Sequence, residues 1–186
     1  MIYPIVAYGN SILRTKAKKI EKGEIDVKQL ADDLFATMEH TGGIGLAAPQ
    51  INKPVRAFVI DANVLSEKYP EGKGVKMAVL NPVMLEEYGE EWSYNEGCLS
   101  FPGLHEDVVR KSKIRVRYED TDFNTHENEF TGIVARIIQH EYDHLEGKVF
   151  TDKLSSIRRV IIRGRLDDII KGKVKTDYKT IFAKRR

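Results

Sequence analysis

The stretch 132-GIVARIIQHEYDHLEG-147 decides how the rest of the chain is read. Ile133, Val134, Ile137, Ile138 and Leu145 recur at the three- and four-residue spacing of a buried helix face, and Gly147 stands where such a helix would stop. Within it, His140 and His144 lie one helical turn apart, rotated by about 40°. Both imidazoles therefore reach one point in space. Glu141 is turned about 100° from His140 and about 60° from His144, so its carboxylate lies beside the pair, within reach of a water there without being a ligand. This geometry is why H-E-x-x-H recurs in hydrolytic metal enzymes. The bland alternative is a helix with two ordinary histidines and a solvated glutamate. The apolar residues upstream weigh against it, because a buried histidine needs a partner.

Upstream, "DVKQLADDLFATMEH" carries Val27, Leu30, Ala31, Leu34, Phe35 and Met38 at helical spacing, with Asp26 placed to cap and glycines 42, 43 and 45 to end it. Strand-like runs follow at 54–61, 75–82, 83–94, 112–118 and 126–132; the last two flank "EDTDFNT" as a hairpin. Residues 62–74 read as a surface loop. A C-terminal helix is expected over about 155–171, interrupted at Gly164. Helices at both ends, with short, mostly antiparallel strands between them and around the central H-E-x-x-H helix, give an α+β fold.

The chain has 186 residues, enough for one domain that buries roughly 70% of its unfolded surface. We expect a single catalytic domain over 1–171 and a basic tail over 172–186. From Lys171 the chain runs through Lys173, Lys175, Lys179, Lys184, Arg185 and Arg186 against Asp177 alone. That segment reads as a solvated, partly disordered terminus, with docking to ribosomal RNA as the alternative. Overall, 30 basic and 28 acidic side chains nearly cancel, which gives no argument for DNA or a membrane surface. No apolar run has the length of a membrane span and the N-terminus lacks a secretory layout, so a cytoplasmic protein is expected.

A catalytic zinc-type site wants a third protein ligand and an open position. Phe150 occupies the place where one group of zinc proteases has a further histidine. Asp167 and Asp168 are weak candidates, and His40, His105 and His126 are scattered singly. Cys98, in "NEGCLSFPG", remains. A thiolate is a strong ligand for zinc or ferrous iron, and Gly97 lets the backbone come close. On spacing alone Cys98 is an inference, because a lone cytosolic cysteine is also a small buried hydrophobe. A zinc endopeptidase with an unseen third ligand, or a structural metal protein that binds ribosomal RNA, are the competing readings.

Three segments, "GIGLAAPQ" (43–50), "EGCLS" (96–100) and "QHEYDHLEG" (139–147), together resemble in order and spacing the motifs of peptide deformylases. The resemblance runs from "GNSILRTKA" to the end of the histidine helix. It implies an enzyme that removes the formyl group from the N-terminal formylmethionine of newly made polypeptides. It implies one divalent metal ion on Cys98, His140 and His144, natively Fe2+ and replaceable by Zn2+ or Ni2+. The nucleophile would be a metal-activated water or hydroxide, with Glu141 as general base and acid. Gln50 and the backbone N–H of Leu99 would form the oxyanion hole. Ile44 and Gly45 would line a peptide groove beside Gly97, and Ile44, Ile133 and Ile137 are candidates for the methionine slot. Glu96 is expected to pair with Arg110 and steady the Cys98 loop. His105 stands where relatives often have an arginine.

Overall fold

The computed structural model describes residues 1–183. It is α+β, as expected. Strands β2 (Gly45–Ala47), β3 (Ala57–Asp61), β4 (Lys76–Gly97), β5 (His105–Glu119) and β6 (Thr125–Thr131) form one antiparallel sheet in chain order. Helix α1 (Val27–His40) precedes this sheet in the chain, and α2 (Gly132–Leu145) follows it. Helices α3 (Ser156–Ile161) and α4 (Arg163–Ile170) come next. A separate two-stranded parallel pair joins β1 (Ile5–Val6) to β7 (Thr180–Ile181). No helix among the described residues is long and apolar enough to cross a membrane.

Strand β3 shows why two helices are needed. Successive side chains of a strand point to opposite faces, and Ala57, Phe58, Val59 and Ile60 are all buried. Phe58 and Ile60 enter the core that contains Ile133, Ile137 and Ile138 of α2. Ala57 and Val59 enter the one that contains Leu30, Leu34 and Met38 of α1. Phe58, Val59 and Ile60 each contribute roughly 1.5–3 kcal/mol when fully buried. A third cluster joins Phe101 and Val108 to Phe150, Ile162 and Ile169, fastening the C-terminal helices below the Cys98 loop.

Both long helices end in the same backbone motif. At the end of α2 the Gly147 N–H reaches His144 O at 3.2 Å and the Lys148 N–H reaches Asp143 O at 2.9 Å. At the end of α1 the Gly42 N–H reaches Glu39 O at 3.2 Å and the Gly43 N–H reaches Met38 O at 2.9 Å. This closure needs a left-handed residue, and Gly147 and Gly42 supply it with φ of 68° and 70°. At the other end of α1, Asp26 caps the helix by accepting from the Gln29 N–H at 2.9 Å. The start of α2 is held differently. Thr131 makes no side-chain cap, and Glu71, from the 62–74 loop, accepts from the Ile133 N–H at 3.0 Å.

Three expectations are corrected. The runs 75–82 and 83–94 are one 22-residue strand, β4, whose register against β5 shifts between Leu80 and Val83 and twice more. Bulges of this kind let a long strand bend without ending. The C-terminal helix breaks at Ile162, not Gly164, because Ile162 turns into the third core while Gly164 lies within α4. Residues 172–183 are not a free terminus. The N–H groups of Ile5 and Ala7 donate to the carbonyls of Lys179 and Ile181 at 2.8 and 2.9 Å, and Phe182 packs on the third core. Lys184, Arg185 and Arg186 lie outside the described residues.

Candidate active site and metal centre

Strand β4 ends at Gly97 and hands Cys98 to a tight loop directly opposite α2. One atom each of Cys98, His140 and His144 lies within 4.8 Å of the other two. The Cys98 Sγ is 3.3 Å from His144 Nε2. Among the described residues this is the one group of three or more potential ligands so arranged. Asp167, Asp168, His40, His105 and His126 take no part in it, and His126 is paired with Asp120 at 2.8 Å. Phe150 stacks on the His140 ring at 6.0 Å between centroids, so the protease position for a third imidazole is a packing position here.

The orientation of His140 follows from its partner. Its Nδ1 is 2.9 Å from Glu96 Oε2. Burial would raise the Glu96 carboxyl, but His140 and Arg110 outweigh it and hold the group well below the usual carboxylate range. An ionised carboxylate only accepts, so Nδ1 carries the proton and Nε2 is left to face the cysteine. Burial together with the His140 and Arg110 charges pushes His144 well down, which keeps that ring neutral. Burial would lower the His140 ring, but without an ion the Cys98 and Glu96 contacts outweigh it and favour a second proton on His140. Two imidazoles and a thiol so placed fit a divalent ion, which displaces that proton on binding, with a further position left for solvent or substrate.

Glu96 is the hub of a buried network. Its Oε1 accepts from Arg110 Nε at 2.7 Å and Arg136 Nη1 at 2.8 Å, and its Oε2 accepts from Arg110 Nη2 at 3.1 Å. Arg110 Nη1 continues to Asp143 Oδ2 at 2.7 Å. Two carboxylates thus meet two guanidiniums, and the cluster is neutral before His140 is added. The Glu96–Arg110 pair expected from sequence is present. Arg136 and Asp143 were not singled out as members. Arg136 lies one turn before His140, and its guanidinium covers the Trp92 ring at 4.5 Å.

Glu141 is 4% exposed, and one of its oxygens, Oε2, has no hydrogen-bond partner among the described residues. Burial pushes its carboxyl up, against the pull of His140 and Arg110, to about 7. Such a group can exchange a proton near neutrality. Its other oxygen presses on Gly45, where an added Cβ would collide with Glu141 Oε1. Gln50 is oriented by the backbone: its Oε1 accepts from the Ala47 N–H at 2.9 Å. Its Nε2 must then point the other way, and it lies 3.4 Å from Cys98 Sγ and 3.2 Å from Ser100 Oγ.

These groups share a cleft of about 360 Å³. Ile44, Gly45, Gly97, Ile133 and Ile137, the residues expected to meet substrate, line it, together with Gln50, Leu99 and Glu141. His144 lies beneath. His105 is at the mouth, its ring so close over Gly97 that an added Cβ would come within 2.5 Å of His105 Nε2. Tyr178, in the segment read as a tail, also lines the cleft. No local pattern around Tyr178 points to this; its place depends on β7 pairing with β1.

Residues 2–160 match the model of a family described as polypeptide deformylase. The chain belongs to that family. It is 49% identical to a peptide deformylase of Cytophaga hutchinsonii, over 98% of each chain. To the peptide deformylase of Christiangramia forsetii it is 43% identical, over 98% of this chain and 96% of that one. The crystal structure of peptide deformylase from Thermotoga maritima superposes with a TM-score of 0.75 at 36% identity, covering 83% of this chain and 99% of the other. Arabidopsis thaliana peptide deformylase 1B, in complex with an inhibitor, gives 0.81 at 31% identity, covering 95% and 97%. The deformylase family is metal-dependent, and the cysteine and two histidines brought together here form a group that could hold a metal ion.

Proposed function

We propose that Cys98, His140 and His144 hold one divalent metal ion and that Glu141 moves the protons, while the chain does what its family does. It is an amidohydrolase that removes the formyl group from the N-terminal formylmethionine of newly made polypeptides and releases formate. The observation that carries the assignment is the convergence of the three ligand atoms within 4.8 Å beside a buried carboxylate.

A divalent ion bound there supplies Lewis acidity, bringing the pKa of a water towards neutrality. The protein's own groups do the rest. Glu141 takes a proton from the attacking water and passes it to the departing amine. The Gln50 Nε2 and the Leu99 N–H face the oxygen on which charge develops; in comparable sites one such donor is worth about 3–4 kcal/mol of barrier. Gly45, on the edge strand β2, and Ile44, just before it, offer backbone groups to an extended peptide, which suits substrates of many sequences. Ile44, Ile133 and Ile137 provide an apolar slot for the methionine side chain, next to Gly97.

Thiolate with two imidazoles suits ferrous iron, zinc and nickel, and we assign Fe2+ as the native ion, with Zn2+ or Ni2+ able to replace it. Residues 1–171, which carry the three ligands and Glu141, are taken as the catalytic domain, and 172–186 as a basic segment joined to it through the pairing of β7 with β1. A substrate still emerging from the ribosome supports a cytoplasmic location and contact between that segment and ribosomal RNA. The deciding experiment combines elemental analysis of anaerobically purified protein with formate release from N-formyl-Met-Ala-Ser. Glu141→Ala is expected to keep its metal and lose at least about 10²-fold in kcat. A metal-loaded variant that turns over normally refutes the proton-transfer role.

A further inference from the structure

The Cys98 loop has three successive carbonyls, and each is tied to a different part of the chain. Cys98 O accepts from the Phe101 N–H, Leu99 O from the Tyr178 hydroxyl and Ser100 O from the Tyr8 N–H, each at 2.8 Å. Only the first of these bonds is local. The second comes from beyond residue 160, where the family match ends.

A peptide unit is planar, so holding its carbonyl fixes the direction of its N–H. The Leu99 N–H belongs to the unit whose carbonyl is Cys98 O. Cys98 O is held by the Phe101 N–H, which limits the turn of that unit about its Cα–Cα axis, and the far end of the axis is the Leu99 Cα, anchored through Leu99 O by Tyr178. We propose that Tyr178 is a positioning residue for deformylation: through its bond to Leu99 O it keeps the Leu99 N–H aimed at the reacting carbonyl oxygen. This rests on the reading of that N–H as an oxyanion donor.

Tyr178 is itself well held. Its ring packs against the core beneath α1, alongside Leu99. Its carbonyl accepts from the hydroxyls of Thr176 and Thr180 at 2.9 and 3.2 Å, and β7 begins two residues later. Burial, with Cys98 and Asp177 nearby, pushes its phenol up to about 12, so it remains an O–H donor. The C-terminal segment is thereby part of the active site's scaffold.

The test compares metal-loaded Tyr178→Phe, Tyr178→Ala and Gln50→Ala with the parent protein, on N-formyl-Met-Ala-Ser. Tyr178→Phe keeps the ring and removes one hydrogen bond. It is expected to lower kcat by about two- to tenfold, with KM and metal content unchanged and the melting temperature lowered by no more than about 4 °C. A packing role alone would leave Tyr178→Phe at full kcat and make only Tyr178→Ala markedly less stable; that result overturns the inference, as does a change confined to KM. Gln50→Ala separates the two readings. If it is slow while Tyr178→Phe runs at full speed, positioning fails and the oxyanion hole stands. If it runs at full speed, the oxyanion reading fails and this inference fails with it.

Discussion

Glu96→Gln changes one atom type in the centre of the protein and leaves the shape intact. Both carboxylate oxygens are doubly occupied, Oε1 by Arg110 and Arg136 and Oε2 by Arg110 and His140. Whichever way the new amide turns, its NH2 faces two donors. Arg110 then keeps Asp143 as its one carboxylate partner and Arg136 keeps none among the described residues, in a site where Glu96 is 4% exposed and Arg110 equally buried. Removing one partner of a buried ion pair costs about 3–5 kcal/mol. Losing the acceptor that orients a ligating imidazole lowers metal affinity by about 10- to 100-fold. Urea unfolding of the chelator-treated protein reads the first quantity free of metal linkage, and competition for Zn2+ against a chromophoric chelator reads the second. A loss below about 1 kcal/mol together with parental metal affinity would show that Glu96 neither anchors the network nor orients His140.

Two further changes probe other parts of the molecule. Gly45→Ala places a methyl group on Glu141 Oε1; displacing that carboxylate by about 1 Å is expected to cost about 10²-fold in kcat with metal content retained, and near-parental kcat would mean the carboxylate need not stay there. At the β5–β6 turn, Asp120 accepts from His126 and from the N–H groups of Asn124 and Asp122, which hold its carboxyl below the usual range. A depressed folded value means that the bonds add stability above the ordinary carboxylate pKa, about 4, and lose it as pH falls further. Because the turn is exposed the effect is less than about 1 kcal/mol: Asp120→Asn is expected to be slightly less stable at pH 6, with the gap closing in acid, and a gap that does not change with pH disproves the assignment.

Elements that announce themselves locally were legible. The apolar spacing of α1 and α2, the Asp26 cap and the glycine stops all act within a few residues, and the structure has them where the sequence places them. The chain of β4 was not legible at Asn81-Pro82, which reads as a strand end. Asn81 takes a φ of 47°, and its side chain replaces the lost ladder partners by bonding both the N–H and the carbonyl of Ile20 at 2.8 Å. That compensation comes from 61 residues away. The site divides in the same way. The H-E-x-x-H pair is set by helical geometry, and the cysteine became convincing only with its flanking motifs. Arg136 and Asp143 occupy helical positions whose meaning depends on Glu96 and Arg110 across the sheet. Strands β1 and β7 have two residues each, too few to carry a period.

The pairing of β1 with β7 joins residues 5–6 to residues 180–181. Parallel contacts between such distant segments close a loop that spans nearly the whole molecule, and contacts of this kind form late. During vectorial synthesis the β1 strand must wait, with the Ile5 and Ala7 amides unsatisfied by β7, until β7 has left the ribosome. A partly made copy can assemble its sheet and its histidine helix first. It acquires the strap across its own ends only once translation has passed Ile181.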